Sequence, residues 1–296
     1  MCGINGFIAG SDEANTELIK LMNNEIVHRG PDDEGYYTDF IEGKNVSFGM
    51  RRLSIIDLDS GKQPIISSDG NLILIFNGEI YNYQSLRLEL ETHHEIMFKT
   101  NSDSEVILKM YEFHGPESFS RLDGMFAFSI LDKSLGKVFV ARDFFGEKPL
   151  YYYKHSDRIF WGSELKSLVH TFHTKPKINR ESLSLYFQLT YIPAPYSIYE
   201  GVSKLLPNHY LEIDIATLDI GIYEISKSKP QRANTMSFDE AKNITHNLVM
   251  DSVSSRSVSD VPIGTFLSGG VDSSIISMCL SKVKGTPIET FSLGLK

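Results

Sequence analysis

The chain has 296 residues, 41% hydrophobic and 23% charged, an ordinary globular composition at a length that favours two domains. A net charge of −9 and the lack of any Lys/Arg block argue against a nucleic-acid partner. Two cysteines give no disulfide framework, and no signal-like segment or apolar run of about 18 residues occurs, so a soluble, cytoplasmic protein without a membrane partner is expected.

Cys2 directly follows the initiator methionine. Loss of Met1 would put a thiol and an α-amine on one residue, and an amine with a pKa of about 8 can take the thiol's proton. The plain alternative is a frayed second residue. Residues 2–9 are apolar with interspersed glycines and predict a strand. A helix should follow, capped by Ser11 or Asp12, with Leu18, Ile19, Met22 and Ile26 as its apolar stripe and Gly30-Pro31 as its stop. His28 to Asp32 reads as a charged turn. Arg51-Arg52 lead a β-rich run over residues 48–57, where a guanidinium can grip a carboxylate or make a surface salt bridge.

The apolar strand over residues 71–76 breaks into Asn77-Gly78-Glu79. Asn-Gly is either a plain turn or, as side-chain amide plus backbone N–H, a pair of donors for an oxyanion. A helix is expected over 83–93. Ser102-Asp103-Ser104-Glu105 reads as a capping box opening another, with Asp103 in its first turn and Gly115-Pro116 at its end. Strands are expected over 122–131, 137–142, near Tyr151 and over 158–162, then helices over 163–172 and from Asn179 to Leu189. Residues 191–207 read as an extended connection, and strands over 210–215 and 220–225 close the domain. Helices alternating with runs of adjacent strands predict an α+β layered architecture.

Residues 226–234 are polar and are the best linker. Ser237 to Glu240 is a second capping box, opening a helix to about residue 255. A buried strand over 262–267 then enters Ser268-Gly269-Gly270-Val271-Asp272-Ser273-Ser274, followed by a helix to about 283 and a strand over 288–293. Strand, glycine-rich loop and helix form an anion cradle of backbone N–H groups and helix-dipole charge. Ser268, Ser273 and Ser274 add hydroxyl donors, and Asp272 is placed to help hold Mg2+. The loop lacks the Gly-Lys-Ser/Thr ending of a Walker A motif.

Taken together, Met1-Cys2-Gly3-Ile4, the His28–Asp32 turn, Arg52 to Asp57, Asn77 to Asn82 and Ser102-Asp103 resemble the glutaminase domain of class II amidotransferases. Leu267 to Ser274 resembles the pyrophosphate loop of ATP pyrophosphatases, and the two in this order resemble the glutamine-dependent asparagine synthetases. The resemblance implies an N-terminal-nucleophile αββα sandwich over residues 2–225, a linker over 226–235, and over 236–296 the beginning of an α/β, Rossmann-like synthetase domain. It implies that Cys2 attacks the glutamine amide, with Asn77 and Gly78 as the oxyanion hole. Arg52, Leu53, Ser54, Ile55, Ile56, Asn77, Gly78, Glu79 and Asp103 would bind glutamine, Arg52 taking its carboxylate and Glu79 and Asp103 its ammonium. Ammonia would pass through a tunnel to a second site, where ATP adenylates aspartate. There Leu267, Ser268, Gly269, Gly270, Asp272, Ser273, Ser274 and Leu293 would hold ATP, Leu267 and Leu293 on the adenosine and Asp272 on Mg2+–pyrophosphate. Glutamine, ATP and aspartate are the expected small-molecule partners, and a homodimer is the candidate assembly. Other carboxylate acceptors, a stand-alone glutaminase and a non-catalytic glutamine-binding remnant are the alternatives.

Two positions depart from the family pattern. Met50 stands where a histidine often precedes the clamp arginine, a change expected to alter loop packing rather than chemistry. The sequence ends at Lys296, short of the usual synthetase length, as either a fragment or a truncated relative, and too few strands would then remain to make the second domain stable.

Overall fold

In the computed structural model, residues 2–10, 15–58, 60–172, 174–226 and 236–294 are described, and the chain divides into two compact units, Met1–Lys227 and Ser228–Lys296. The first unit grows from β1 (Gly3–Ala9), whose side chains alternate between two apolar layers. Ile4 and Ile8 face one layer, Phe7 and Ala9 the other. β1 joins β2 (Asp33–Ile41), β3 (Lys44–Arg52), β8 (Tyr151–His155), β9 (Arg158–Gly162) and β10 (Ser203–Lys204) in an antiparallel sheet ordered β10-β8-β9-β1-β3-β2. β4 (Ile65–Ile66), β5 (Leu72–Ile80), β6 (Gly124–Asp132), β7 (Lys137–Arg142), β11 (His209–Asp214) and β12 (Ile220–Glu224) form the second, ordered β12-β11-β7-β6-β5-β4 and also antiparallel.

The core lies between the sheets. Ile4, Ile8, Val46, Phe48 and Trp161 meet Ile73, Ile75, Ala127, Val138, Val140 and Leu211, all of them fully buried. The Trp161 indole N–H donates to the Ser129 hydroxyl at 2.8 Å, tying one sheet to the other. Gly6 is required here, because a Cβ on it would lie 2.3 Å from that indole. Outside the first sheet, α1 (Asn15–Asn24) lays Ile19 and Met22 on Phe7, and α4 (Leu165–Val169) adds Leu168. Outside the second, α3 (Asp103–His114) packs on β5 and against α2 (Tyr83–His94). Helix, sheet, sheet, helix is the αββα sandwich of the expectation.

Several local expectations change. β2 was not anticipated: its run of acidic and aromatic residues lacks apolar alternation, and full pairing with β3 makes it an edge strand. β3 stops at Arg52, so residues 53–57 are loop rather than strand. Asn77-Gly78 is no turn, because β5 runs through to Ile80 in register with β6. Ser102 caps α3 by accepting the Ser104 N–H, but Glu105 does not complete a capping box and instead accepts the N–H groups of Lys99 and Thr100. α5 (Arg180–Leu189) begins as expected under an Asn179 cap that accepts the Ser182 N–H. The proposed cap at Ser11 or Asp12, most of the 226–235 linker and Lys296 fall outside the described residues.

In the second unit, Ser237 and Glu240 form the complete capping box on α6 (Phe238–Ser255). β13 (Gly264–Phe266) and β14 (Glu289–Phe291) pair in parallel on either side of α7 (Val271–Lys284). Val253, Cys279 and Leu280 make a small core between the two helices. β13 is exposed rather than buried, with Phe266 87% accessible.

Candidate active site

Cys2 lies just ahead of β1, its sulfur beside the backbone of Leu53. Arg52 ends β3, and Phe76 to Glu79 run along β5. These segments, with Leu53, Ile55, Ile56, Gly61, Gln63, Ser102, Asp103, Met125 and Lys148, line one pocket. Nine of the ten residues expected in the glutaminase site therefore converge. Ser54 does not line the pocket; its N–H donates to the Asp32 carboxylate at 2.9 Å.

The charged turn His28–Asp32 has a structural task. Arg29 Nε donates to the Cys2 carbonyl at 2.8 Å, and its Nη1 donates to Glu164 at 3.1 Å. A Cβ on Gly30 would fall 2.4 Å from the backbone of Arg51 and Arg52, so only glycine lets this turn press against the end of β3. The turn thereby holds Cys2 and Arg52 beside each other. The Leu53 N–H approaches the Cys2 sulfur at 3.3 Å. Burial pushes the Cys2 thiol above its ordinary pKa, opposed by the Leu53 hydrogen bond and by the charges of Arg52 and Lys148.

Asn77 is fully buried, yet neither its side-chain nitrogen nor its oxygen has a partner. Orphaned buried amide atoms cost about 1–3 kcal/mol each, and Asn77 lines the pocket, where a bound molecule can supply the missing partners. Gly78 beside it tolerates no side chain, since a Cβ would be 2.1 Å from the Met125 carbonyl oxygen. Arg52 is 4% exposed and uses Nη2 to hold the carbonyls of Ile56 at 3.0 Å and Asp57 at 2.6 Å, fixing the 53–57 loop. Gly61 makes room for that guanidinium, a Cβ there lying 2.5 Å from Nη2.

Two acids also line the pocket. Burial raises the Glu79 carboxyl above its usual pKa, while the charge of Lys148 draws it down. Asp103 is pushed up to about 6 by burial and by the charge of Glu79, against the N–H of Ile80 that donates to it at 3.0 Å. A cation between Glu79 and Asp103 would relieve both. The pocket thus brings together a thiol, an amide without a partner, a guanidinium and two carboxylates.

Sequence reasoning missed Gly61, Gln63, Phe76, Met125 and Lys148 as members of this pocket. Gln63 is bound into it through its Oε1, which accepts the Phe76 N–H at 2.7 Å. Met50 lies in the core between the sheets, 1% exposed, so the departure there concerns sandwich packing rather than a loop.

The Ser268–Ser274 loop is a separate site. It leaves the carboxyl end of β13 and enters α7, with Gly269 at φ +84° and open space around its Cα. Ser268 and Ser273 hydroxyls lie 3.0 Å apart, and Ser273 and Ser274 both donate to the Gly270 carbonyl. Asp272 is exposed in the first turn of α7. Leu267 and Leu293 follow the adjacent strands β13 and β14, where ligands of parallel sheets bind; Leu293 is 94% exposed. Among the described residues no cluster of three or more His, Cys, Asp or Glu could hold a metal, so Asp272 alone suits only a Mg2+ held mainly by phosphates.

Comparison with known proteins places this geometry. Residues 1–224 match the glutamine amidotransferase domain family, and residues 245–296 match the asparagine synthase family. Asparagine synthetase [glutamine-hydrolyzing] 1 of Bacillus subtilis is 40% identical over 100% of this chain and 46% of its own length. Asparagine synthetase [glutamine-hydrolyzing] 2 of the same organism is 37% identical over 94% of this chain and 38% of its own. The chain thus spans less than half the length of these relatives. A solved structure described as the allosteric regulatory enzyme of purine biosynthesis aligns at TM-score 0.58 and 19% identity, over 98% of this chain and 65% of that one. The glutamine phosphoribosylpyrophosphate amidotransferase of B. subtilis aligns at 0.54 and 18%, with the same coverage. At such identities these two support the fold. Among the described residues, no helix is long and apolar enough to cross a membrane.

Proposed function

The chain belongs to the glutamine amidotransferase family, and from that premise we propose that it hydrolyses glutamine at Cys2 as the ammonia-releasing part of a glutamine-hydrolysing asparagine synthetase. The observation that carries the reading is the buried, partnerless amide of Asn77 in the same pocket as the Cys2 thiol. With Met1 removed, the Cys2 α-amine takes the thiol proton and Sγ attacks the side-chain carbonyl carbon of glutamine. The oxygen gains negative charge and is met by Asn77 Nδ2 and the Gly78 N–H, donors whose removal typically costs about 10²–10³ in rate. The C–N bond breaks, the nitrogen takes the proton and leaves as ammonia, and a γ-glutamyl thioester remains on Cys2. Water then adds to the thioester, its proton goes to the α-amine, and collapse releases glutamate and restores the thiol. Glutamine and water thus become glutamate and ammonia. Arg52 holds the substrate carboxylate, and Glu79 and Asp103 hold its ammonium.

For the second unit, the proposal is that the Ser268–Ser274 loop takes the pyrophosphate of ATP at the N-terminus of α7. Leu267 and Leu293 lie against the adenosine, and Asp272 contacts the Mg2+ that accompanies the phosphates. In the whole protein aspartate is adenylated to aspartyl-AMP, and ammonia displaces AMP to give asparagine. Two free cysteines, Cys2 and Cys279, suit the reducing cytoplasm that a thiol nucleophile needs. The test is direct: the intact chain incubated with glutamine should release glutamate and ammonia in equal amounts. A chain that has lost Met1, binds glutamine and releases neither would overturn the proposal.

A further inference from the structure

Lys148 is the one charged residue of the glutamine pocket to which the mechanism above gives no work. It is 4% exposed and lines the pocket with Cys2 and Glu79, yet its ammonium makes no hydrogen bond and no ion pair among the described residues. Its backbone, by contrast, is held on every side. The fully buried Asp143 carboxylate accepts the N–H groups of Phe126, Phe145, Glu147 and Lys148, at 2.8–3.2 Å. Buried Arg142 donates to the carbonyls of Lys148 at 2.7 Å, Gly146 at 2.6 Å and Leu205. Gly146 sits at φ +68°, and a Cβ on it would meet Pro207 at 2.8 Å, so the turn has little freedom. Two buried ions and a left-handed glycine thus fix a lysine whose side chain has no structural partner.

We propose that Lys148 is the counter-charge of the Cys2 thiolate, a positioning residue that acts on the nucleophile through the field of the pocket. The inference rests on the glutaminase reading. The charges facing Cys2 are the N-terminal α-amine, Arg52 from β3, Glu79 from β5, Asp103 from α3 and Lys148 from the turn after β7, with Arg29 on the Cys2 carbonyl. Bound glutamine pairs its carboxylate with Arg52 and places its single ammonium between Glu79 and Asp103, which leaves one negative charge of that pair over. Lys148 offsets it, and without Lys148 the surplus would face the forming thiolate as a like charge.

The experiment follows alkylation of Cys2 by iodoacetamide against pH in the intact chain, read by the mass of the N-terminal peptide so that Cys279 does not contribute. In Lys148→Met the alkylation midpoint should rise by about one pH unit, slowing the reaction near pH 7 about tenfold. Lys148→Arg should stay within about threefold of the parent. A parental midpoint in Lys148→Met, or an equal shift in Lys148→Arg, overturns the counter-charge. If the methionine variant unfolds, Lys148→Gln, one atom shorter but with a neutral polar end, carries the same expectation. Alkylation requires no turnover, so a parental midpoint sinks the role of Lys148 alone. A chain that releases no glutamate sinks the glutaminase reading alone.

Discussion

The Cys2 pocket and the Ser268–Ser274 loop are built on opposite principles. The pocket gathers polar groups from distant segments, buries them and leaves both Asn77 amide atoms and the Lys148 ammonium without a hydrogen-bond partner, beside the raised carboxyls of Glu79 and Asp103. The loop is contiguous and exposed, and its hydroxyls bond to one another and to Gly270. Buried unsatisfied groups cost folding free energy that a ligand can return, whereas an exposed loop carries little such cost. The Cys2 pocket is thus pre-organised by its own unit, while the Ser268–Ser274 loop is a local device.

Substitutions can break or sharpen that contrast. After Cys2 itself, Asn77→Ala should have the largest effect, lowering kcat for glutamine hydrolysis about 10²–10³-fold with a smaller change in KM, measured by glutamate release. Gly30→Ala comes next: a Cβ at 2.4 Å from the β3 backbone should cost about 3 kcal/mol in denaturant unfolding and raise KM by displacing Arg52.

Asp103→Asn tests the pre-organisation from the stability side. The Asp103 carboxyl is pushed up to about 6 in the fold, above its value in an unfolded chain, so the folded state binds more protons between about pH 4 and 6. Stability therefore falls as pH rises through that window and stays at its lower level above it. Asp103→Asn should remove this dependence and raise stability at pH 7 by about 2 kcal/mol. It should also raise KM for glutamine and abolish the fall in kcat/KM below about pH 6. The smallest expected effect is Asp272→Asn, which should leave glutamate release within about twofold of the parent; a larger loss would contradict the independence of the two sites.

What could be read from the sequence follows the same division. The strand–loop–helix frame around Ser268–Ser274, the Ser237 capping box and the Asn179 cap were legible because each is a contiguous pattern acting on its own backbone. Cys2, Arg52 and Asn77 stood out by residue type, as a thiol, a guanidinium and an amide, whereas Glu79 and Asp103 were picked out as site members only through the resemblance to the glutaminase family. The strand through Asn77-Gly78 was not legible: a dipeptide that usually turns is held extended by pairing with Ala127 and Phe126. Met125 and Lys148 were invisible because only the pairing of β5 with β6 and the Asp143-centred turn bring them to Cys2. Gly61 reads as an unremarkable loop residue until Arg52 is seen to need its space.

The central claim is that the Cys2 thiol is the nucleophile of this pocket. Glutamate release at saturating glutamine, compared between the parent and Cys2→Ala with matched folding by circular dichroism, tests it most directly. The account predicts steady release by the parent and none above the uncatalysed background with Cys2→Ala. Release at the parental rate from Cys2→Ala would contradict it.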